Sequence, residues 1–190
     1  MMRALAPFAV ALCACVPVDV PGLAPQPAEP ALTGPERIEA RIPSRGAVAT
    51  LGPVGRNGDT VTWTTADGVT LALAGGVLVA TRGLGPDLMG AEVGPLRAAL
   101  AGRGAAGLLP RRHAYLDGEN RVATLELPCR LAMAAPAAAD AGLRRMEETC
   151  AGAGQSFVNS YWIGAGGSVV RSVQWIGPEV GPVTISAPLL

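Results

Sequence analysis

Residues 155–176 read QSFVNSYWIGAGGSVVRSVQWI. Two runs rich in aromatic and β-branched residues flank a glycine-rich segment at 164–167, a pattern typical of a β-hairpin. Side chains alternate along a strand, so Phe157, Asn159 and Tyr161 should share one face, with Val158 and Trp162 on the other. The segment predicts an antiparallel hairpin rich in aromatic residues.

The strand pattern continues upstream of this hairpin. Residues 60–65 read TVTWTT, residues 69–74 alternate apolar and small or polar positions, and residues 77–81 continue the strand pattern. Turn residues at 66–68 and 75–76 separate the three runs. We therefore predict a three-stranded antiparallel meander in this region.

The remaining segments favour a mainly β fold with little helix. Pro95 is placed to begin a short helix that ends near Gly102. Residues 137–149 fit either a helix, because of their alanine content, or a strand. Further candidate strands are residues 37–42, 47–51, 112–116 and 121–127, and residues 183–186 are predicted as an edge strand because Pro178, Gly181 and Pro182 precede them.

The first residues resemble an export signal. Arg3 supplies a positive charge, residues 4–12 are mostly apolar, and small residues precede Cys15. This layout predicts a lipoprotein signal peptide over residues 1–14 and lipid attachment at Cys15. Cys13 is a rival acceptor, and a plain secretory signal with incidental cysteines is the alternative.

Composition divides the rest of the chain into a linker and a domain. Residues 15–36 are rich in proline, which favours extended conformations over helix or sheet. We interpret them as a lipidated tether, followed by a single β domain over residues 37–190. That length is sufficient for one hydrophobic core.

Cys129 and Cys150 are the two cysteines of the domain. In an oxidising compartment two such thiols are best explained by one disulfide, although buried free thiols are the alternative. His113 is the single histidine of the chain. Two cysteines and one histidine do not predict a zinc site, because a structural zinc ion needs four protein ligands. No cofactor motif is recognisable either.

Charge and motifs exclude several functional classes. The formal net charge is zero, which gives no electrostatic basis for nucleic-acid binding. Without a nucleophile elbow or a partner for His113, no catalytic site is predicted. A glycosidase pair among the carboxylates remains an alternative, and its candidates are Asp87, Glu92, Asp117, Glu119, Glu126, Glu147, Glu148 and Glu179.

Several short motifs, taken in order, resemble the YjbF/GfcB lipoproteins, which are encoded with exopolysaccharide or group 4 capsule secretion genes. These motifs are Trp63 with Asp67-Gly68, residues 81–88 (TRGLGPDL), Cys129, Glu148 with Cys150, residues 159–162 (NSYW), and Gly167 followed by Arg171-Ser172, Gln174-Trp175 and Gly177-Pro178-Glu179. The resemblance covers residues 37–187.

The resemblance implies a single curled antiparallel sheet, either a half-barrel or sandwich-like, and carries no enzymatic activity. It implies an accessory lipoprotein on the periplasmic face of the outer membrane that supports polymer production or export. An outer-membrane barrel or periplasmic export proteins would be its partners, with direct binding of a polysaccharide or a lipid as alternatives. The candidate binding surface comprises Trp63, Tyr161, Trp162, Arg171, Gln174 and Trp175, although the aromatic pattern by itself favours rings that form the core.

Overall fold

The domain is built on strands, as the sequence predicts. A computed structural model describes residues 37–116, 121–135, 137–140, 142–152 and 154–187. The predicted signal peptide (1–14), the tether (15–36) and residues 117–120, which connect the predicted strands 112–116 and 121–127, lie outside these residues. The described strands are β1 (Ile38–Ile42), β2 (Ala47–Asn57), β3 (Thr60–Thr64), β4 (Thr70–Ala74), β5 (Val77–Arg82), β6 (Leu88–Glu92), β7 (Gly107–Leu108), β8 (Arg111–Leu116), β9 (Val122–Leu127), β10 (Cys129–Met133), β11 (Arg144–Gly152), β12 (Gln155–Ile163), β13 (Val169–Gly177) and β14 (Gly181–Ser186).

Eleven of these strands form one sheet in the order β5-β4-β3-β2-β1-β14-β13-β12-β11-β10-β7. All of the pairings are antiparallel, so the predicted meander of β3, β4 and β5 and the hairpin of β12 and β13 are confirmed. A second sheet of three strands, in the order β6-β8-β9, accompanies the main sheet. The prediction of a mainly β fold is therefore confirmed, with this small sheet as an addition.

The prediction that residues 183–186 form an edge strand is wrong. Strand β14 lies inside the main sheet, where it pairs with β1 on one side and with β13 on the other. The prolines mark a hairpin turn rather than a sheet edge, and Gly181 at the start of β14 has a φ of 75°. Pro182 lies opposite Trp175, next to a register shift where the ladder is already irregular, so its missing N–H is tolerated.

Residues 137–149, which fitted either a helix or a strand, contain a 3-10 turn (Ala138–Asp140) followed by strand β11. Met146, Glu148 and Cys150 are buried at alternate positions of β11. Burial against the neighbouring elements thus overrides the helical preference of the alanines. The predicted short helix is present as α1 (Gly94–Leu100), with Pro95 in its first turn.

The main sheet curls so that strand β5 reaches strand β13. The side chain of Gln174 in β13 accepts a hydrogen bond from the Leu78 N–H at 2.8 Å and donates one to the Gly76 carbonyl at 2.9 Å. In the described residues β5 is an edge strand, so one side chain supplies partners that a neighbouring strand would otherwise provide. The curl is achieved without closure by backbone pairing.

Close packing at this junction requires a glycine. Gly76 has a φ of 85°, and a Cβ atom there would lie 2.6 Å from the Cβ of Val169 in β13. A side chain at position 76 would therefore separate β5 from β13. The glycine pair that predicted a turn also permits the curl.

The apolar residues form three clusters inside this framework. The largest contains residues of β1 to β5 together with β13 and β14, including Leu51, Leu71 and Ile176. In the second, Leu96 of α1 packs with residues such as Tyr161. The third surrounds Cys129, Cys150 and Trp175. Among the described residues, no helix has both the length and the apolar character needed to cross a membrane.

Candidate functional site

A buried polar network joins the small sheet to the main sheet. Glu148 of β11 is fully buried and accepts hydrogen bonds from Nη1 of Arg111 at 3.0 and 3.1 Å, one to each carboxylate oxygen. Nδ2 of Asn159 and the hydroxyl of Tyr161 donate to the same carboxylate, at 2.8 and 3.1 Å. Arg111 therefore compensates the negative charge of Glu148, and the two neutral donors complete the hydrogen bonding of its carboxylate.

His113 extends this network through β8. The Tyr115 hydroxyl donates to the Ile176 carbonyl at 2.6 Å, so its oxygen accepts from Nδ1 of His113 at 3.1 Å. This assigns the proton to Nδ1 and leaves Nε2 to accept from Nη2 of Arg111 at 3.2 Å. Burial, and then the charge of Arg111, lower the pKa of His113 to about 3, and the imidazole is neutral.

This network is enclosed by aromatic rings and sheet. The His113 ring stacks on Trp175, which in turn stacks on Phe157 with ring centres 4.2 Å apart. Burial, opposed in part by Arg111, raises the pKa of Tyr115, and burial also raises the pKa of Tyr161. The network is largely shielded from solvent and joins the two sheets, and among the described residues Nε of Arg111 has no hydrogen-bond partner. Arg111 also contributes to the wall of a second cavity of about 430 Å³.

The predicted disulfide between Cys129 and Cys150 is present, with sulfurs 2.01 Å apart. The two residues lie directly opposite each other on β10 and β11. Both sulfurs and the Glu148 carboxylate lie within 4.8 Å of one another. Disulfide sulfurs are not thiolates, and the Glu148 carboxylate is already bound by Arg111, so this group is not suited to hold a metal ion.

An open cavity of about 460 Å³ lies at one end of the curled sheet. The turns β2–β3, β4–β5 and β12–β13 contribute to its wall, together with the end of α1. Cavities of this size at the mouth of a curved sheet are typical places for small ligands. Its apolar wall includes Ile38, Val61, Trp63, Leu73 and Ile185.

Positive side chains dominate the charged lining of this cavity. Among the described residues, four arginines and one aspartate contribute to it, namely Arg56, Arg97, Arg103, Arg171 and Asp59. Asp59 forms an ion pair with Nη2 of Arg97. Arg171 forms a second ion pair, with Asp140.

The side chain of Arg171 is held by residues on the neighbouring strand and turn, on the face of β13 opposite to that of the cavity-lining Ser172. Its guanidinium lies 4.0 Å from the ring centre of Trp162, which pairs with it across β12 and β13. Asp140 accepts a hydrogen bond from Nε1 of Trp162 at 2.6 Å and lies 3.5 Å from Nη2 of Arg171. The side chain of Arg171 is 38% exposed.

The six residues of the predicted binding surface do not form one exposed surface. Trp63, Tyr161, Gln174 and Trp175 are buried, in agreement with the alternative that the aromatic rings form the core. Trp162 and Arg171 are partly exposed neighbours. Of the six, Trp63 and Arg171 line the cavity.

No sequence pattern pointed to the other charged residues of the cavity. No motif connects these residues: Arg56 lies near the end of β2 and Asp59 in the turn that follows, whereas Arg97 lies in the last turn of α1 and Arg103 just after that helix. They meet because the sheet curls. The resemblance includes Glu148, Asn159 and Tyr161 but not Arg111, the cation that completes the buried network.

The curled sheet, the buried polar network and the open cavity define a mainly β domain with a site suited to binding. No curated protein matches the chain. The family model described as "Group 4 capsule polysaccharide lipoprotein gfcB, YjbF" matches residues 35–187. The chain therefore belongs to this family of capsule-associated lipoproteins.

A solved structure shares the fold. The crystal structure of the hypothetical lipoprotein YmcC from Escherichia coli (K12) is similar with a TM-score of 0.65 and 23% sequence identity. The similarity covers 80% of this chain and 85% of that one. At this identity the comparison supports the fold alone.

Proposed function

We propose that this protein is an accessory lipoprotein that supports exopolysaccharide or capsule production or export by binding partners in the cell envelope. The match to the capsule lipoprotein family over residues 35–187 carries the proposal. Partners of the appropriate kind are an outer-membrane barrel and periplasmic polysaccharide-export proteins. The cavity of the curled sheet supports a binding role.

The proposal places the protein on the periplasmic face of the outer membrane, held by lipid on Cys15. The leader has the charged, apolar and small-residue layout of a lipoprotein signal. The Cys129–Cys150 disulfide is consistent with an oxidising compartment. Two or more acyl chains on Cys15 would provide stable attachment.

We further propose that the role is not enzymatic. Several of the carboxylates considered for a glycosidase pair have other contacts in the described residues: Glu148 accepts hydrogen bonds in the buried network, and Glu92 and Glu126 bind Arg112. Asp87 accepts hydrogen bonds from the Thr81 hydroxyl and from two backbone N–H groups of its own loop. Release of fragments from the polymer by the purified protein would contradict this part of the proposal.

A deletion strain tests the accessory role. We expect loss of the gene to reduce surface polymer, and wild-type complementation to restore it. Crosslinking and affinity capture from membranes should recover polysaccharide-export proteins with this bait but not with an unrelated lipoprotein expressed at the same level. Unchanged polymer in the deletion strain would reject the role.

A further inference from the structure

The larger cavity is layered, with apolar side chains in its depth and charged side chains at its mouth. Trp63, Leu73 and Ile185 line it and are each less than a tenth exposed. Asp59 and Arg103 also line it, and both are exposed. A ligand that fills this cavity therefore places an apolar part inside the curled sheet and a polar part at the surface.

The buried lining favours a hydrocarbon over a hydroxylated ligand. Its side chains are mostly aliphatic, namely Ile38, Leu73, Leu100 and Ile185. Ser172 is buried there too, and its hydroxyl oxygen already accepts a hydrogen bond from Nε2 of Gln174 at 2.9 Å. Aliphatic walls do not replace the hydrogen bonds that hydroxyl groups make with water, so burial of such groups costs free energy. A hydrocarbon chain has no such bonds to lose.

The charges at the mouth do not determine the ligand. Arg97 is paired with Asp59, and the side chain of Arg171 lies on the opposite face of its strand beside Asp140. The affinity of this cavity for a ligand is therefore expected to come from the apolar part that it buries.

We propose that this cavity binds one acyl chain of a lipid. The chain lies against Trp63, Leu73 and Ile185, and the head group stays at the mouth, near the exposed Asp59 and Arg103. A volume of about 460 Å³ is within the range of sites that bind small ligands. The choice of a lipid rests on the proposed attachment of the protein to a membrane, whereas the choice of an apolar chain rests on the lining of the cavity.

Photolabelling in vesicles tests this proposal. The full-length lipoprotein is reconstituted in phosphatidylcholine vesicles that contain phosphatidylcholine with a diazirine at the end of one acyl chain. A parallel set of vesicles receives palmitate with a terminal diazirine instead. After irradiation, peptide mapping should find the label on β3 and β14, at cavity-lining residues such as Val61 and Ile185.

The two sets of vesicles distinguish the sources of the chain. Label from phosphatidylcholine identifies a bilayer lipid, and label from palmitate alone identifies a free fatty acid. Label confined to exposed apolar residues such as Val48 and Val158 would report contact with the bilayer surface. That result, or absence of label in both sets, overturns the proposal.

A cavity-filling variant locates the binding. Val61→Phe should lower labelling of the cavity at least about tenfold, because the larger side chain occupies the space of roughly two methylenes, each worth about fourfold in affinity. Val48→Phe makes the same change at an exposed position that does not line the cavity and should leave labelling unchanged. Equal labelling of the two variants would refute the site.

A second substitution excludes damage to the fold as the cause. Val61→Thr keeps the cavity open but places a hydroxyl group in its wall, so labelling should fall about threefold or more. Val48→Thr is the matched control, and urea unfolding of all four variants verifies that they are folded. Labelling of Val61→Thr at the level of the wild type would count against an apolar ligand.

Soluble saccharides test the other occupant. Neither maltotetraose nor tetragalacturonate should protect Val61 and Ile185 from labelling. Protection of these residues by either saccharide, with labelling of the bilayer lipids unchanged, would reassign the cavity to a saccharide.

A cellular assay separates this inference from the accessory role. If the gene deletion reduces surface polymer but the cavity takes up no label, the acyl-chain assignment fails while the accessory role stands. If the deletion leaves polymer unchanged, the accessory role fails even where the cavity is labelled.

Discussion

At the scale of single residues, the buried Glu148 depends on partners from two other strands. Arg111 supplies the compensating charge, while Asn159 and Tyr161 complete the hydrogen bonding of the carboxylate. Sequence alternation predicts that Asn159 and Tyr161 share a face, and the structure confirms it. The sequence could not predict Arg111 as their partner, because β8 and β11 belong to different sheets.

Replacement of Arg111 should be far more damaging than replacement of its neighbour. Arg111→Met leaves the Glu148 carboxylate buried without a counter-charge, which should lower the free energy of unfolding by about 3–5 kcal/mol. Arg112→Met removes an exposed arginine that pairs with Glu92 and Glu126 and should change stability little. Urea unfolding of both variants with the disulfide intact makes the comparison, and similar losses would contradict the proposed role of Arg111.

His113 should make the fold sensitive to acid. Its pKa is about 3 in the folded protein, mainly because of burial, against about 6.5 in the unfolded chain. As the pH falls below 6.5 the unfolded chain takes up the proton first, so the free energy of unfolding falls until about pH 3. Between pH 6.5 and pH 5 this group should account for about 2 kcal/mol of the loss.

The variant His113→Gln isolates this contribution. Glutamine can still donate to Tyr115 and accept from Arg111, but it does not titrate. Urea unfolding at pH 7.5 and pH 5 should therefore show a smaller loss of stability in the variant than in the wild type. Equal losses in the two proteins would mean that His113 is not the titrating group.

At the scale of elements, local patterns identified most strands but not their neighbours. The meander, the β12–β13 hairpin and α1 follow from residues close in sequence, as turn residues and alternation predict. The interior position of β14 depends on pairing with β1, which is distant in sequence. The contact between β5 and β13 depends on one glutamine side chain, a feature that no local pattern encodes.

Removal of this contact should loosen the junction of β5 with β13. Gln174→Met leaves the buried Leu78 N–H without an acceptor, which should cost about 1–3 kcal/mol. Hydrogen exchange should become faster at the Leu78 amide, while Gln155→Met, the same change at a partly exposed position, serves as control. Unaltered exchange at Leu78 would argue against this role of Gln174.

At the scale of the whole molecule, the sequence predicted the class of fold and the family, and both are confirmed. It did not predict the cavity, because Arg56, Arg97, Arg103 and Arg171 are brought together only by the curl. The predicted binding surface combined residues from both faces of its strands, and most of them proved to be core residues. The alternation of side chains along a strand identifies the residues that share a face, but not which face is covered by other elements.

The predicted anchor can be tested on the intact protein. Cys15→Ser should prevent lipid attachment and leave an unprocessed chain, because the acceptor thiol is missing. Mass measurement of membrane-extracted protein should show cleavage before residue 15 and added acyl chains in the wild type, while Cys13→Ser should be processed normally. Acylation that persists in the Cys15→Ser chain would assign the anchor to Cys13 instead.

The pairing of β1 with β14 affects how this chain acquires its structure. A polypeptide that emerges amino-terminus first exposes β1 and β2 early, but β14 arrives only after the other strands. Until then, one side of β1 presents unsatisfied backbone groups that can recruit strands of other molecules. The centre of the sheet is therefore completed last, and a chain interrupted before residue 181 would keep an aggregation-prone gap in its middle.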